Sequence, residues 1–242
     1  MLKLEVPTLN KVLKNSGGDE KLLEELLSKF RLWLKQQSHL PQDISDQRLK
    51  FFIYAVKFNI EQAKKNLDTL YTLRNLVPEF YENYDPFSDD INHFHTYFRQ
   101  SVCLPKLTPQ GYRLYICRLI NNDASLYNAW AILKYVCNIY KVEQMYYFTK
   151  TLHVACHIHV YTSGIESLYG TIPKAILPAD YGGEEPSMDI LTDMWRAKLA
   201  QQRDCLIKEG KQKTQESLRT NSIINPDELF GVLGTFRKLE ID

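Results

Sequence analysis

The densest group of side chains able to ligate a metal is His153, Cys156, His157 and His159. Imidazole and thiolate together suit zinc. The spacing argues against a site. On a strand His157 and His159 share a face, and Cys156 points the other way. The pattern matches no ligand motif of known geometry, so these residues read as surface or strand-edge side chains. His93 and His95 form a lesser pair. Nucleophilic catalysis lacks both a GxSxG elbow and a cysteine in a recognisable setting. Gly182-Gly183 is a turn and not a phosphate loop. Asp89-Asp90 and Glu184-Glu185 sit in polar loop contexts as solvated charges. The expectation is therefore a protein with no catalytic residues, no metal and no cofactor, and not an enzyme.

Composition narrows the partners. The chain has 242 residues and a net charge of +1, which gives no electrostatic case for nucleic acid. Arg196, Lys198, Arg203, Lys208, Lys211 and Lys213 concentrate positive charge near the C-terminus, interleaved with Asp204, Glu209 and Glu216. That alternation reads as a solvated helix face. Five cysteines, an odd number with no CxxC pair, point to a reducing compartment. Met1 to Asn15 has no continuous apolar core and does not resemble a secretory signal. No apolar run approaches the roughly 20 residues of a membrane-spanning helix, so membrane contact is expected only at the periphery.

The elements that must position these residues follow from periodicity. Asp19 offers a cap, and Leu22, Leu23, Leu26, Leu27, Phe30, Trp33 and Leu34 form one stripe of an amphipathic helix. Asp46 starts a second helix with Leu49, Phe52, Ile53 and Val56. Asn59 caps a third, with Ile60, Ala63, Leu67 and Leu70 on one side, and Pro78 stops it. Residues 1–84 thus read as a small helical bundle. Beyond the turn at Tyr84-Asp85-Pro86, Gly111 to Ile120 reads as a strand and Ser125 to Lys141 as a helix. Val142 to Lys150 reads as further helix, His157 to Tyr161 as a short strand, and the chain after Met188 as a polar helical tail.

Two stretches resemble a known family. Phe52-Ile53-Tyr54-Ala55-Val56-Lys57-Phe58-Asn59-Ile60-Glu61-Gln62-Ala63 resembles the helix, break, helix signature that precedes CRAL-TRIO domains. Ile172-Pro173-Lys174-Ala175-Ile176-Leu177-Pro178-Ala179-Asp180-Tyr181-Gly182-Gly183-Glu184 resembles that family's closing motif. Ile158 to Tyr161 and Ile165 to Leu168 resemble the strand and short helix before it. The type resembled is the insect α-tocopherol transfer protein and retinaldehyde-binding protein group.

The resemblance implies an α/β fold of CRAL-TRIO type, with an N-terminal helical bundle followed by a shortened mixed sheet with flanking helices. Residues 1–84 are then the bundle, 85–188 the lipid-binding domain, and 189–242 the tail. The domain is shortened because Lys141 runs directly into a gate-like helix, Val142 to Lys150. The implied function is binding and transfer of a hydrophobic small molecule, such as tocopherol or a retinoid, by a cytoplasmic monomer. Leu114, Ile116, Trp130, Leu133, Val136, Met145, Phe148 and Ile158 are expected to line the cavity. Lys57 and Lys150 are expected to meet phosphoinositide headgroups during transient peripheral membrane contact. The alternative is a protein-interaction module, or an inactive shortened isoform, that transports nothing.

Overall fold

The computed structural model describes residues 2–6, 13–14, 16–82, 84–97, 100–118, 123, 128–146, 169–170 and 172–220. It divides into two compact units that interleave in sequence. One, the sheet unit, is Met1–Glu20 with Asn83–Gly210. The other, the helical unit, is Lys21–Glu82 joined by the chain that resumes at Lys211.

The helical unit begins with α1, Glu20–Lys35. Of the expected stripe, Leu22 and Trp33 at its margins are half-buried, while Leu23, Leu26, Leu27, Phe30 and Leu34 are buried. Burying each such side chain stabilises by roughly 1.5–3 kcal/mol. Leu32, half a turn away from that stripe, is 63% exposed. Helix α2 is Asp46–Ala55, and Ser45 caps it by accepting from the Arg48 amide at 3.2 Å. Helix α3 is Ile60–Leu76, capped by Asn59, whose side chain accepts from the Gln62 amide at 3.1 Å. Each cap satisfies one of the amides that a first helical turn leaves unpaired. Between α2 and α3 the chain turns through Lys57 (φ 52°) and Phe58 (φ 64°). Two non-glycine residues in the left-handed region store roughly 1–3 kcal/mol each. The corner is held by the Phe58 amide donating to the Ile53 carbonyl at 2.9 Å. Pro78 opens the single turn α4, Pro78–Tyr81, where its missing N–H costs nothing.

The sheet unit contains α5 (Asp89–Tyr97), β1 (Gln100–Leu107), β2 (Arg113–Arg118), α6 (Ala129–Tyr146) and α7 (Met188–Gly210). Strand β2 lies within the run expected to be extended. Strand β1 was not expected, because Pro105 interrupts it. The ladder is irregular between Cys103 and Leu107, where Pro105 cannot donate. The Pro105 carbonyl instead accepts from the Glu5 amide at 2.9 Å and from Arg113 Nη1 at 2.8 Å. The buried Arg113 also donates to the carbonyls of Leu104 and Glu5, at 2.9 and 2.6 Å.

Helix α7 differs most from expectation. Met188, Leu191, Trp195, Leu199 and Leu206 fall on one face of the charged stretch and are buried. They join Phe94, Val102, Leu104, Tyr135 and Ile139 in one core. Ahead of α7, a 3-10 turn at Lys174–Ile176 and another at Ala179–Tyr181 reverse the chain at Gly182, in the left-handed region at φ 67°. The Pro and Gly positions act there as their chemistry dictates. Asp180 then caps α7 by accepting from the Met188 amide at 2.6 Å.

These observations correct the expected fold class. The described residues build a mostly helical protein with one two-stranded antiparallel sheet, not an α/β fold on a mixed sheet. The short link 108–112 between β1 and β2 permits only a hairpin, since parallel pairing needs a crossover of a dozen or more residues. The expected strand 157–161 lies outside the described residues. No helix among the described residues is long and apolar enough to cross a membrane.

His95, on α5, is half-buried against Tyr135, with ring centroids 4.7 Å apart, and both buried ring nitrogens lack a hydrogen-bond partner among the described residues. Burial, then the positive charge of Arg196, lowers its pKa to about 4. The unfolded chain binds this proton at a pH near 6.5 and the folded chain does not. The sheet unit should therefore lose stability as pH falls from about 6.5 to about 4. The loss is about 1–2 kcal/mol once solvent screening at a part-exposed site is allowed for. His95→Phe should flatten that limb of a urea-midpoint-against-pH curve. An unchanged limb in the variant would assign the acid sensitivity to other groups.

Candidate interaction site

The residues expected to line a cavity, where described, lie on β2 and α6 of the sheet unit. Leu114 and Ile116 on β2 are half-buried and pack on the sheet-unit core, and Val136 on α6 is half-buried. Trp130, Leu133 and Met145 lie along α6. Phe148, Ile158 and Lys150 lie outside the described residues, as do His153, Cys156, His157 and His159. Lys57 is exposed at the α2–α3 corner, in the other unit. A groove of about 390 Å³ on the sheet unit is lined by Leu2, Ile190, Met194 and Ala197 together with Asp193, Lys198 and Gln201. Among the described residues no cluster of three or more histidine, cysteine or acidic side chains could hold a metal. His93 is exposed and His95 half-buried, on faces of the helix about 200° apart.

The most developed polar constellation is on the helical unit, where the returning chain 211–219 crosses the α1–α2 connection and the C-terminal half of α3. Gln212 begins it. Its side chain donates to Asp43 at 2.8 Å, and its carbonyl accepts from Arg74 Nη1 at 3.1 Å. The Thr214 amide donates to the Tyr71 carbonyl at 3.3 Å, and the Gln215 amide to the His39 carbonyl at 2.9 Å. Ser38 Oγ donates to the Leu218 carbonyl at 2.9 Å. After a 3-10 turn at Glu216–Leu218, Arg219 ends the crossing with its side chain only 1% exposed.

The Arg219 guanidinium meets two carboxylates. Nη1 and Nη2 each donate to a different Asp68 oxygen at 2.9 Å. Nε and Nη2 donate to the two Glu216 oxygens at 2.6 and 2.9 Å, and Nη2 also reaches Thr72 Oγ1 at 2.8 Å. Thr72 Oγ1 donates to Asp68 at 3.2 Å, and His39 Nε2 lies 3.3 Å from the same carboxylate. The planar fork of arginine suits such two-pronged pairing, which a lysine cannot reproduce. Arg219 holds the Glu216 carboxyl below the usual carboxylate range, and Glu216 and then Asp68 push the Arg219 guanidinium above its own. Nothing in the linear sequence signals this constellation, because its halves are more than a hundred residues apart.

The family described as "Pinta-like, UBA domain" matches residues 19–91, a span that contains the whole of α1, α2 and α3. No curated protein matches the chain. The family match overturns the CRAL-TRIO resemblance, because the helix, break, helix stretch on which it partly rested, residues 52–63, lies inside the matched UBA span. With it fall the expected tocopherol or retinoid ligand, lipid transfer, and the phosphoinositide surface as a partner. What replaces them is similarity, over residues 19–91, to the Pinta-like UBA domain.

Proposed function

We propose that the chain is a non-catalytic protein-interaction module, with the helical unit as the partner-binding part and ubiquitin as the partner. The observation that carries this reading is the coincidence of the UBA family match, residues 19–91, with the capped three-helix bundle α1–α3. Cytoplasmic residence belongs to the same reading. The free thiols Cys103, Cys117, Cys137 and Cys205 support it, being the state that a reducing compartment maintains.

The test is a titration of unlabelled ubiquitin into the ¹⁵N-labelled full chain, followed by amide chemical shifts. The expected result is saturable shifts concentrated in residues 21–82, the bundle part of the helical unit. A dissociation constant on the order of 100 µM is expected for a small transient interface. A spectrum that does not move in millimolar ubiquitin would sink the reading.

A further inference from the structure

Residues 211–219 lie on the helical unit as a bound peptide lies on a receptor. On one side the contacts come from the Ser38 hydroxyl, the His39 and Tyr71 carbonyls, the Tyr71 hydroxyl and the Asp43, Asp68, Thr72 and Arg74 side chains, with Glu82 reaching Lys213 at 3.4 Å. Every contact on the other side comes from Gln212 to Arg219. Apart from one 3-10 turn the segment has no regular structure, so it is held through its backbone and through the side chains of Gln212, the buried Thr214 and the buried Arg219. We propose that this face is a binding site for extended protein segments carrying Glu-x-x-Arg, and that residues 211–219 are its built-in occupant.

Charge complementarity defines that chemistry. Asp68, 19% exposed, receives both terminal nitrogens of Arg219, and Thr72 reaches one of them. Glu216, three residues earlier on the same segment, grips the guanidinium from the ligand side and presents its fork to Asp68. The arginine thus arrives already oriented, which lowers the ordering cost of docking. The segment needs no other part of the chain to make these bonds, so a peptide supplied from outside offers the same atoms. Covalent linkage makes docking of the internal copy intramolecular, so an external peptide competes only when the internal one is weakened.

The experiment uses the full chain and a fluorescent peptide of sequence Gln-Lys-Thr-Gln-Glu-Ser-Leu-Arg-Thr, identical to residues 212–220, with anisotropy as the readout. Arg219→Lys in the chain keeps the charge and loses the fork, so it loosens the internal segment. The variant is expected to bind the peptide about tenfold more tightly than the parent chain does. A peptide with alanine in place of arginine should not bind, and Asp68→Asn in the Arg219→Lys background should abolish binding. The proposal is overturned if the variant takes the peptide no better than the parent, or takes the alanine peptide equally well. Far-UV circular dichroism reports whether the variant is folded. Should it not be, Glu216→Gln, which leaves Arg219 on Asp68, carries the same comparison with an expected gain of about threefold. Ubiquitin takes no part in the measurement, so its outcome is independent of the reading above.

Discussion

Trp195→Ala should lower the stability of the sheet unit by about 3–5 kcal/mol, the largest single-residue loss expected in this protein. Trp195 is fully buried in the middle of α7 and is the largest such side chain among the described residues. Its indole N–H donates to the Cys103 carbonyl on β1 at 2.8 Å. Alanine leaves a cavity between helix and sheet, and leaves that buried carbonyl without this donor. The lost packing dominates, because an unmade hydrogen bond to a neutral acceptor adds only about 1–3 kcal/mol. Trp195→Phe separates the two effects, since it keeps most of the ring volume and removes only the donor. Its cost should be about 1–2 kcal/mol. Urea denaturation followed by circular dichroism gives both numbers. Equal losses for the two variants would show that the hydrogen bond, and not the packing, ties α7 to β1.

Gly183→Ala should cost about 3 kcal/mol, at the upper end of the range for overpacking. A Cβ at that position would lie 2.0 Å from the Leu177 carbonyl oxygen and 2.5 Å from Leu177 Cβ. Neither can yield by a rotamer change, because the closest atom is backbone. The Leu177 carbonyl accepts from the Glu185 amide at 2.9 Å, and the Gly183 amide donates to the Pro178 carbonyl at 3.1 Å. Moving the turn also disturbs the contact of Glu185 with Lys106 on β1, now 2.7 Å. At neighbouring Gly182 the obstruction is the far end of the Tyr169 side chain, which can swing away. Gly182→Ala therefore costs the left-handed backbone penalty, about 1–2 kcal/mol, plus the bond that the Tyr169 hydroxyl donates to the Tyr181 carbonyl, about 1 kcal/mol. The same urea series ranks them. A Gly182 variant weaker than the Gly183 variant would place the strain in the backbone angle and not in the close approach.

Local structure was legible wherever one element reports on itself. Leu23, Leu26, Leu27, Phe30 and Leu34 announce α1 by spacing alone, and Asn59 and Pro78 mark boundaries by side-chain chemistry that acts within three residues, whereas the cap of α2 is Ser45, one residue before the Asp46 expected to start it. The turns around Pro173, Pro178 and Gly182 are equally local. Burial was less legible. Helix α7 reads as polar because charges fill most of its surface, while Trp195 and its neighbours on one face decide where it packs. Strand β1 was hidden because Pro105 breaks the pattern, and only its pairing with β2 and the hydrogen bonds of Arg113 compensate for the missing donor.

Resemblance misled where a short motif stood for a whole family. The stretch 52–63 encodes a capped helix corner, and a corner serves many folds. The sequence by itself determined the three helices of the bundle, the Asn59 cap, and the turn that leads into α7, since these depend on backbone and side-chain preferences within a few residues. Tertiary structure alone decided that Trp195 is core, and that Arg219 belongs with Asp68 although 151 positions separate them. Pairing of that kind depends on how the chain returns through space, and no local preference at either residue records it.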